Sequence, residues 1–406
     1  MRARSASRDA GEKRRAFRGP ALFSFGFRPF FLFGALFGAL AVPLWMGAFV
    51  HGYRLGIGGD ALGWHAHEMI FGYTGAIVAG FLLTAIPNWT GRAPVMGAPL
   101  AGLFALWLAG RIAMWWPAAG LPGRLVEAGF LFVLLAAALR EVLTGRNWRN
   151  LPIVLMLALF AAANLLWHAE AIGLAVPAGL GQRLALSTIA LLMALIGGRI
   201  IPSFTGNWMQ KEGLAPLPTP FNGFDKAVLA ATALALAAWC AAPFAALAGW
   251  LLIVAGLLHA VRMARWRGWR TGRESLVLVL HAAYLWLAAG LALIGLSILA
   301  PALFAGAGAL HALTAGGIGL LTVAVMTRAS RGHTGRPLHA DKLTAAIYAL
   351  VSLGALARIL LPFAPISHAL GASVAGLLWS AGMLLFAIGY GPMLLRPRPE
   401  TAAPGR

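Results

Sequence analysis

Charge is scarce in this chain, and acid is scarcer still: of 406 residues only 11% are charged, with 12 acidic against 32 basic, while 60% are hydrophobic. A water-soluble globule of that composition lacks the polar groups to cover its apolar surface. Cysteine is nearly absent. Cys240 stands alone, which excludes a disulfide, a thiolate metal cluster and a C-x-x-C-H attachment for c-type haem. Any metal must therefore be held by His, Met, carboxylate or amide groups. Long polar stretches are also missing, so no separate soluble domain fits between the apolar runs.

What is present is a series of apolar runs about 20 residues long, the length a helix needs to cross a hydrocarbon core roughly 30 Å thick. About twelve occur, near 29–50, 66–88, 98–116, 121–143, 151–174, 181–201, 225–243, 246–264, 275–299, 304–327, 342–361 and 370–394. The expectation is an all-α polytopic membrane protein. Residues 1–28 read as a cytoplasmic basic tail, 29–396 as one twelve-helix domain and 397–406 as a cytoplasmic C-terminal tail. The first apolar run is long enough to span and lacks a small-residue cleavage site, so it reads as an uncleaved helix.

The net charge of +20 invites a nucleic-acid reading, but its distribution argues for topology. With the N-terminus inside, every Lys and Arg except Arg54, Arg111, Arg124, Arg183 and Arg358 falls in the tails, in inner loops or at inner helix ends. Strict alternation along a series of spans is the positive-inside pattern, not a basic patch for nucleic acid.

The chain repeats itself. In the second, sixth and tenth spans, His67, Gln182 and His311 are each followed 23 positions later by a Thr-Gly pair, Thr90-Gly91, Thr205-Gly206 and Thr334-Gly335. These spans are four helices apart, which predicts three pseudo-repeats of four helices with each Thr-Gly closing an inner end. Leu108-Ala109-Gly110-Arg111-Ile112 in the third span matches Leu356-Ala357-Arg358-Ile359 in the eleventh.

A helix of 23 residues rises about 35 Å, so His67 and His311 share one depth near the outer boundary. Two imidazoles at matched height could hold a haem across a slot of small residues. Thr314, Ala315, Gly316, Gly317, Ile318 and Gly319 on one side and Gly72 and Gly75 on the other suggest such a slot, or tight helix packing. Arg111 and Arg358, each in the outer third of a span, need anions. Haem propionates are one source; Glu127 for Arg111 and the interface for Arg358 are the other.

His65 shares a helix face with Glu68 and Met69, and reads as a copper ligand, a proton relay or a wetted interfacial residue. A second set lies toward the inner side: His259 and His281 at comparable depth on consecutive helices, with His333 as a third possible ligand. Separately hydrogen-bonded histidines are the alternative. His51, His168, His339 and His368 lie near loops and are expected to be solvated. Glu68, Glu127 and Glu170 are candidate proton carriers or structural ion-pair partners.

Phe27-Arg28-Pro29-Phe30-Phe31, Trp64-His65-Ala66-His67-Glu68-Met69-Ile70-Phe71-Gly72, Arg199-Ile200-Ile201-Pro202 and Thr327-Arg328-Ala329-Ser330-Arg331-Gly332-His333-Thr334-Gly335-Arg336 closely resemble the NnrS family of bacterial inner-membrane proteins. The resemblance implies non-covalent, b-type haem, copper, and a role in withstanding nitric oxide and related nitrosative stress. By matched position it makes His65, His67, His259, His281, His311 and His333 the metal-binding candidates.

More loosely, twelve helices in three arcs, with histidines on the second and tenth, are similar to the haem-copper oxidase arrangement. Gln182 and the lack of histidine on the sixth and seventh spans depart from it. The functional expectation is a haem and copper membrane protein that binds or counters nitric oxide, its partners being lipid and a small diatomic ligand. Alternatives are a secondary transporter, whose signal is broken helices at the midplane, and a membrane-embedded oxidoreductase that turns nitric oxide over.

Overall fold

Chain that enters lipid must satisfy its own backbone polar groups, and here all twelve apolar runs do so by coiling into helices. The computed structural model describes residues 17–53 and 60–399; residues 1–16, Arg54 and residues 400–406, and what was expected of them, lie outside it. The helices are α1 Phe27–Phe49, α2 Ala61–Thr90, α3 Ala98–Trp115, α4 Gly120–Thr144, α5 Leu151–Ala171 and α6 Leu180–Lys211, then α7 Gly223–Ala241, α8 Ala246–Ala264, α9 Ser275–Leu299, α10 Gly306–His333, α11 Lys342–Leu360 and α12 His368–Leu395. No strand occurs among the described residues.

Eleven of these helices are long and apolar enough to cross a bilayer. The other, α4, differs in carrying Arg124, Glu127, Arg140 and Glu141. Its acids are paired: Glu127 with Arg111, and Glu141 with Arg92 and Arg140. The chain is a multi-pass membrane protein.

Arg28 is buried in the first turn of α1, where its guanidinium donates to the carbonyls of Leu394 at 2.9 Å and Arg396 at 2.7 Å. A cation there meets the negative end of α12.

The helices close into a ring, α12 packing on α1. Contacts recur after every four helices. Helix α4 packs on α5, α8 on α9 and α12 on α1; α3 packs on α4, α7 on α8 and α11 on α12. Helices α2, α6 and α10 surround a central apolar cavity of about 90 Å3.

The likeness of α2 and α10 extends to their winding. In each, a seven-residue π-helical stretch begins directly after the histidine, Glu68–Thr74 in α2 and Ala312–Ile318 in α10. Such stretches are rare and are frequent at functional sites. Helix α6, with Gln182 in place of histidine, is α-helical throughout.

The Thr-Gly closure holds at the ends of α2 and α10, where Gly91 and Gly335 adopt φ values of +71° and +76°. That left-handed conformation suits glycine and ends a helix. In α6 the expectation fails: Thr205-Gly206 lies inside the helix, which continues to Lys211. There the Thr205 hydroxyl contacts His281 instead, at 2.8 Å.

Small residues set the closest helix contacts. A Cβ added to Gly256 of α8 would lie 2.6 Å from the backbone oxygen of Ala288 on α9, whereas one added to Gly102 of α3 would meet nothing within 4 Å. Gly256→Leu should therefore destabilise the protein by roughly 1–3 kcal/mol or more, as overpacking does, and Gly102→Leu should be near neutral. Thermal unfolding in detergent checks both, and equal midpoints for the two variants would refute the close-packing account.

Candidate functional site

Each four-helix arc encloses a buried arginine, which lipid tolerates only where its charge is met. In the α1–α4 arc, Arg111 on α3 donates to Glu68 on α2 at 2.6 Å and to Glu127 on α4. Gly72 leaves room for its guanidinium, against which a Cβ would collide. In the α5–α8 arc, Arg262 on α8 binds Asp225 on α7 at 2.8 Å, the carbonyl of Ala194 and the Tyr284 hydroxyl. In the α9–α12 arc, Arg331 on α10 meets Tyr390 at 3.0 Å and also Asp341, which caps α11 through the Thr344 amide. Burial would raise the Asp341 carboxyl, but its bonds with Thr344 and the charge of Arg331 outweigh this and hold it below the ordinary carboxylate range.

The Arg111 network is the largest. His67 Nδ1 lies 2.9 Å from Glu68 Oε1, and its Nε2 lies 3.2 Å from the side-chain oxygen of Asn164 on α5. The Asn164 amide nitrogen donates to Glu127 Oε2 at 2.9 Å, and His168 Nε2 contacts the same oxygen at 2.8 Å. Both ring nitrogens of His67 thus face oxygen acceptors, and an imidazolium there completes the charge balance of two carboxylates and one guanidinium. Among the described residues, His67, Glu127 and His168 are the one group of three potential ligands whose donor atoms all lie within 4.8 Å of one another.

His168 corrects the sequence reading. It was expected to be solvated, yet it is 5% exposed and bound to Glu127. The signal was available: Asn164 and His168 are four apart, hence on one face of an otherwise apolar helix. His51, His339 and His368 are exposed as expected. Glu170 has a local role, accepting the Gly179 amide.

His67 and His311 turn to different neighbours. His67 points among α2, α4 and α5, whereas His311 lies within electrostatic range of His65, and both lie near Arg358. His65 stacks on Trp45 with ring centroids 4.2 Å apart, and its Nδ1 is buried without a hydrogen-bond partner. His311 Nδ1 contacts the Ala307 carbonyl oxygen at 2.7 Å, so that nitrogen carries the proton and Nε2 presents a lone pair. Arg358 has no carboxylate partner among the described residues. Arg111, by contrast, already has both Glu127, the alternative given above, and Glu68.

The slot of small residues is not formed by the glycines. Gly316 receives the Trp286 ring, Gly317 faces Met193 and Gly319 faces Trp379. They serve helix packing. The inner histidine set also does not gather. His259 contacts Thr232 at 2.9 Å and Tyr284 at 2.8 Å, His281 contacts Thr205, and His333 lies against the rings of Phe25 and Phe27. Similar depth on neighbouring helices had suggested a meeting; the side chains instead take separate hydroxyl partners or rings.

A family model described as NnrS protein matches residues 21–398, nearly the whole chain. The chain belongs to the NnrS family. No curated protein matches it. Of the blocks that carry the NnrS resemblance, residues 64–72 hold His65, His67 and the start of the α2 π stretch, and residues 327–336 form the end of α10. The other two open α1 and lie within α6.

Removing Arg111 would strand Glu68 and Glu127 in the bundle, so Arg111→Gln should cost about 3–5 kcal/mol, the usual loss when one partner of a buried ion pair is removed. Arg358→Gln strands no carboxylate and should change stability far less. Chemical or thermal unfolding of the two purified variants tests the contrast.

Proposed function

We propose that this chain is a haem-carrying protein of the bacterial inner membrane, both termini cytoplasmic, that captures nitric oxide within the bilayer and so limits nitrosative stress. The observations that carry the reading are a histidine at the head of each of two π-wound stretches, the buried, unpartnered Nδ1 of His65 and the oriented ring of His311, both within electrostatic range of Arg358. The donor chemistry fits. His65 offers a buried nitrogen with no other partner, His311 is held in the tautomer that frees Nε2, and Arg358 is free to bind a propionate with two parallel hydrogen bonds. Trp45 restricts the His65 ring by stacking.

Haem bound there would supply an iron with affinity for a diatomic ligand. Nitric oxide partitions into lipid, so a site inside the bundle meets it at raised concentration. Copper, the second metal implied by the family resemblance, would find imidazole and carboxylate donors at His67, Glu127 and His168, once the imidazole nitrogens that face Glu127 had released their protons.

Transport of a polar solute is the weaker reading. The place where such a substrate would sit, the midplane at the repeat interface, is lined by apolar side chains and two threonines and carries no charge.

The test is the absorption spectrum and metal content of protein purified after haem-sufficient expression. His65→Ala and His311→Ala should each lose the Soret band, while His67→Ala should keep it and lose stability. His168→Ala should lower bound copper without touching the Soret band. Retention of full haem by both of the first two variants would sink the assignment.

A further inference from the structure

The central cavity is where the three arcs meet, between Ile77 and Phe81 of α2, Met193 and Ile196 of α6, and Leu321 and Val325 of α10. Two hydroxyls reach its wall. Thr74 spends its hydrogen on the Met69 carbonyl at 2.9 Å, and Thr322 lies 2.8 Å from the Gly319 carbonyl and 2.6 Å from the Tyr73 hydroxyl. Neither needs a ligand. A water in the cavity would find few of the partners it requires, since buried waters make about three hydrogen bonds each.

Size narrows the occupant further. The cavity measures about 90 Å3, and a dry protein cavity of about 150 Å3 admits benzene or xenon. A diatomic gas or a xenon atom fits; a haem or a quinone ring does not. Depth points the same way. The lining residues sit midway along α2, α6 and α10, at the level of the bilayer centre. Thr74 and Ile318, at the ends of the π stretches, lie nine residues beyond His65 and seven beyond His311, so the cavity begins roughly 10–13 Å below the proposed haem ligands.

We infer that this axial cavity is a docking site for small uncharged gas molecules, nitric oxide among them, between the lipid and the histidines above. The inference rests on the proposed function only for the identity of the gas. The cavity's affinity for an apolar atom follows from its own walls.

The experiment uses full-length protein as purified, equilibrated with xenon under pressure, and locates xenon crystallographically. A xenon peak between α2, α6 and α10 is expected, and its loss in Val325→Phe and in Val78→Phe, which fill the cavity from α10 and from α2. Both variants should keep the wild-type gel-filtration profile, and Ile196→Ala should strengthen the peak. In haem-loaded protein, stopped-flow association of nitric oxide should be slower in the two filled variants. Ordered water or an acyl chain in the cavity, or xenon bound elsewhere but not here, would overturn the inference. So would unchanged nitric oxide association in variants that have lost the xenon peak. Protein that binds xenon but shows no Soret band would remove the haem reading and leave the cavity assignment standing.

Discussion

Charge neutralisation in a low-dielectric medium is the constraint on which this molecule depends. Arg111, Glu68 and Glu127 come from three different helices, and none could enter lipid alone at tolerable cost. Together with His67, Asn164 and His168 they tie α2, α3, α4 and α5 at one level. Arg262 and Arg331 do the same for the other two arcs. Hydrophobic burial drives little association between helices in a bilayer, so these polar ties and the glycine contacts carry the specificity of assembly.

The pseudo-threefold body uses that common plan unequally. Two arcs contribute a histidine and a π stretch to the axis, and α6 contributes an unbroken helix with glutamine in the corresponding place. The asymmetry sets one interface, that of α2 with α10, apart from the other two. Outside the α1–α4 arc the buried arginines Arg262 and Arg331 are bound to Asp225, Tyr284, Asp341 and Tyr390, which make further hydrogen bonds within the protein.

Much of the architecture was legible from the chain because lipid imposes a length and a composition. Helices α8 and α9 have the bounds expected from hydropathy. The ends of α6 and α10 were less legible, since their last turns are polar and extend beyond the apolar run to Lys211 and His333. The site was legible in kind rather than in pairing. Helical spacing separates His65 from His67 by about 200°, so one of them had to face away from α10, but which one is decided by the winding of α2 and by the pull of Glu68 and Glu127 on His67. His168 was missed because a position near a helix end resembles a wetted one when the partner across the bundle is not known. The inner histidines show the converse: shared depth does not imply shared direction.

The π stretches carry an implication for how such a site can change. Each amounts to one extra residue wound into a helix whose ends are fixed by the membrane. Rewinding Glu68–Thr74 as ordinary α-helix with the same residues would turn everything above it by about 100°, half the angle between His65 and His67, and so carry both imidazoles away from their present neighbours without altering a side chain. The orientation of the histidines is thus a property of helical phase, adjustable by rewinding within a span rather than by substitution.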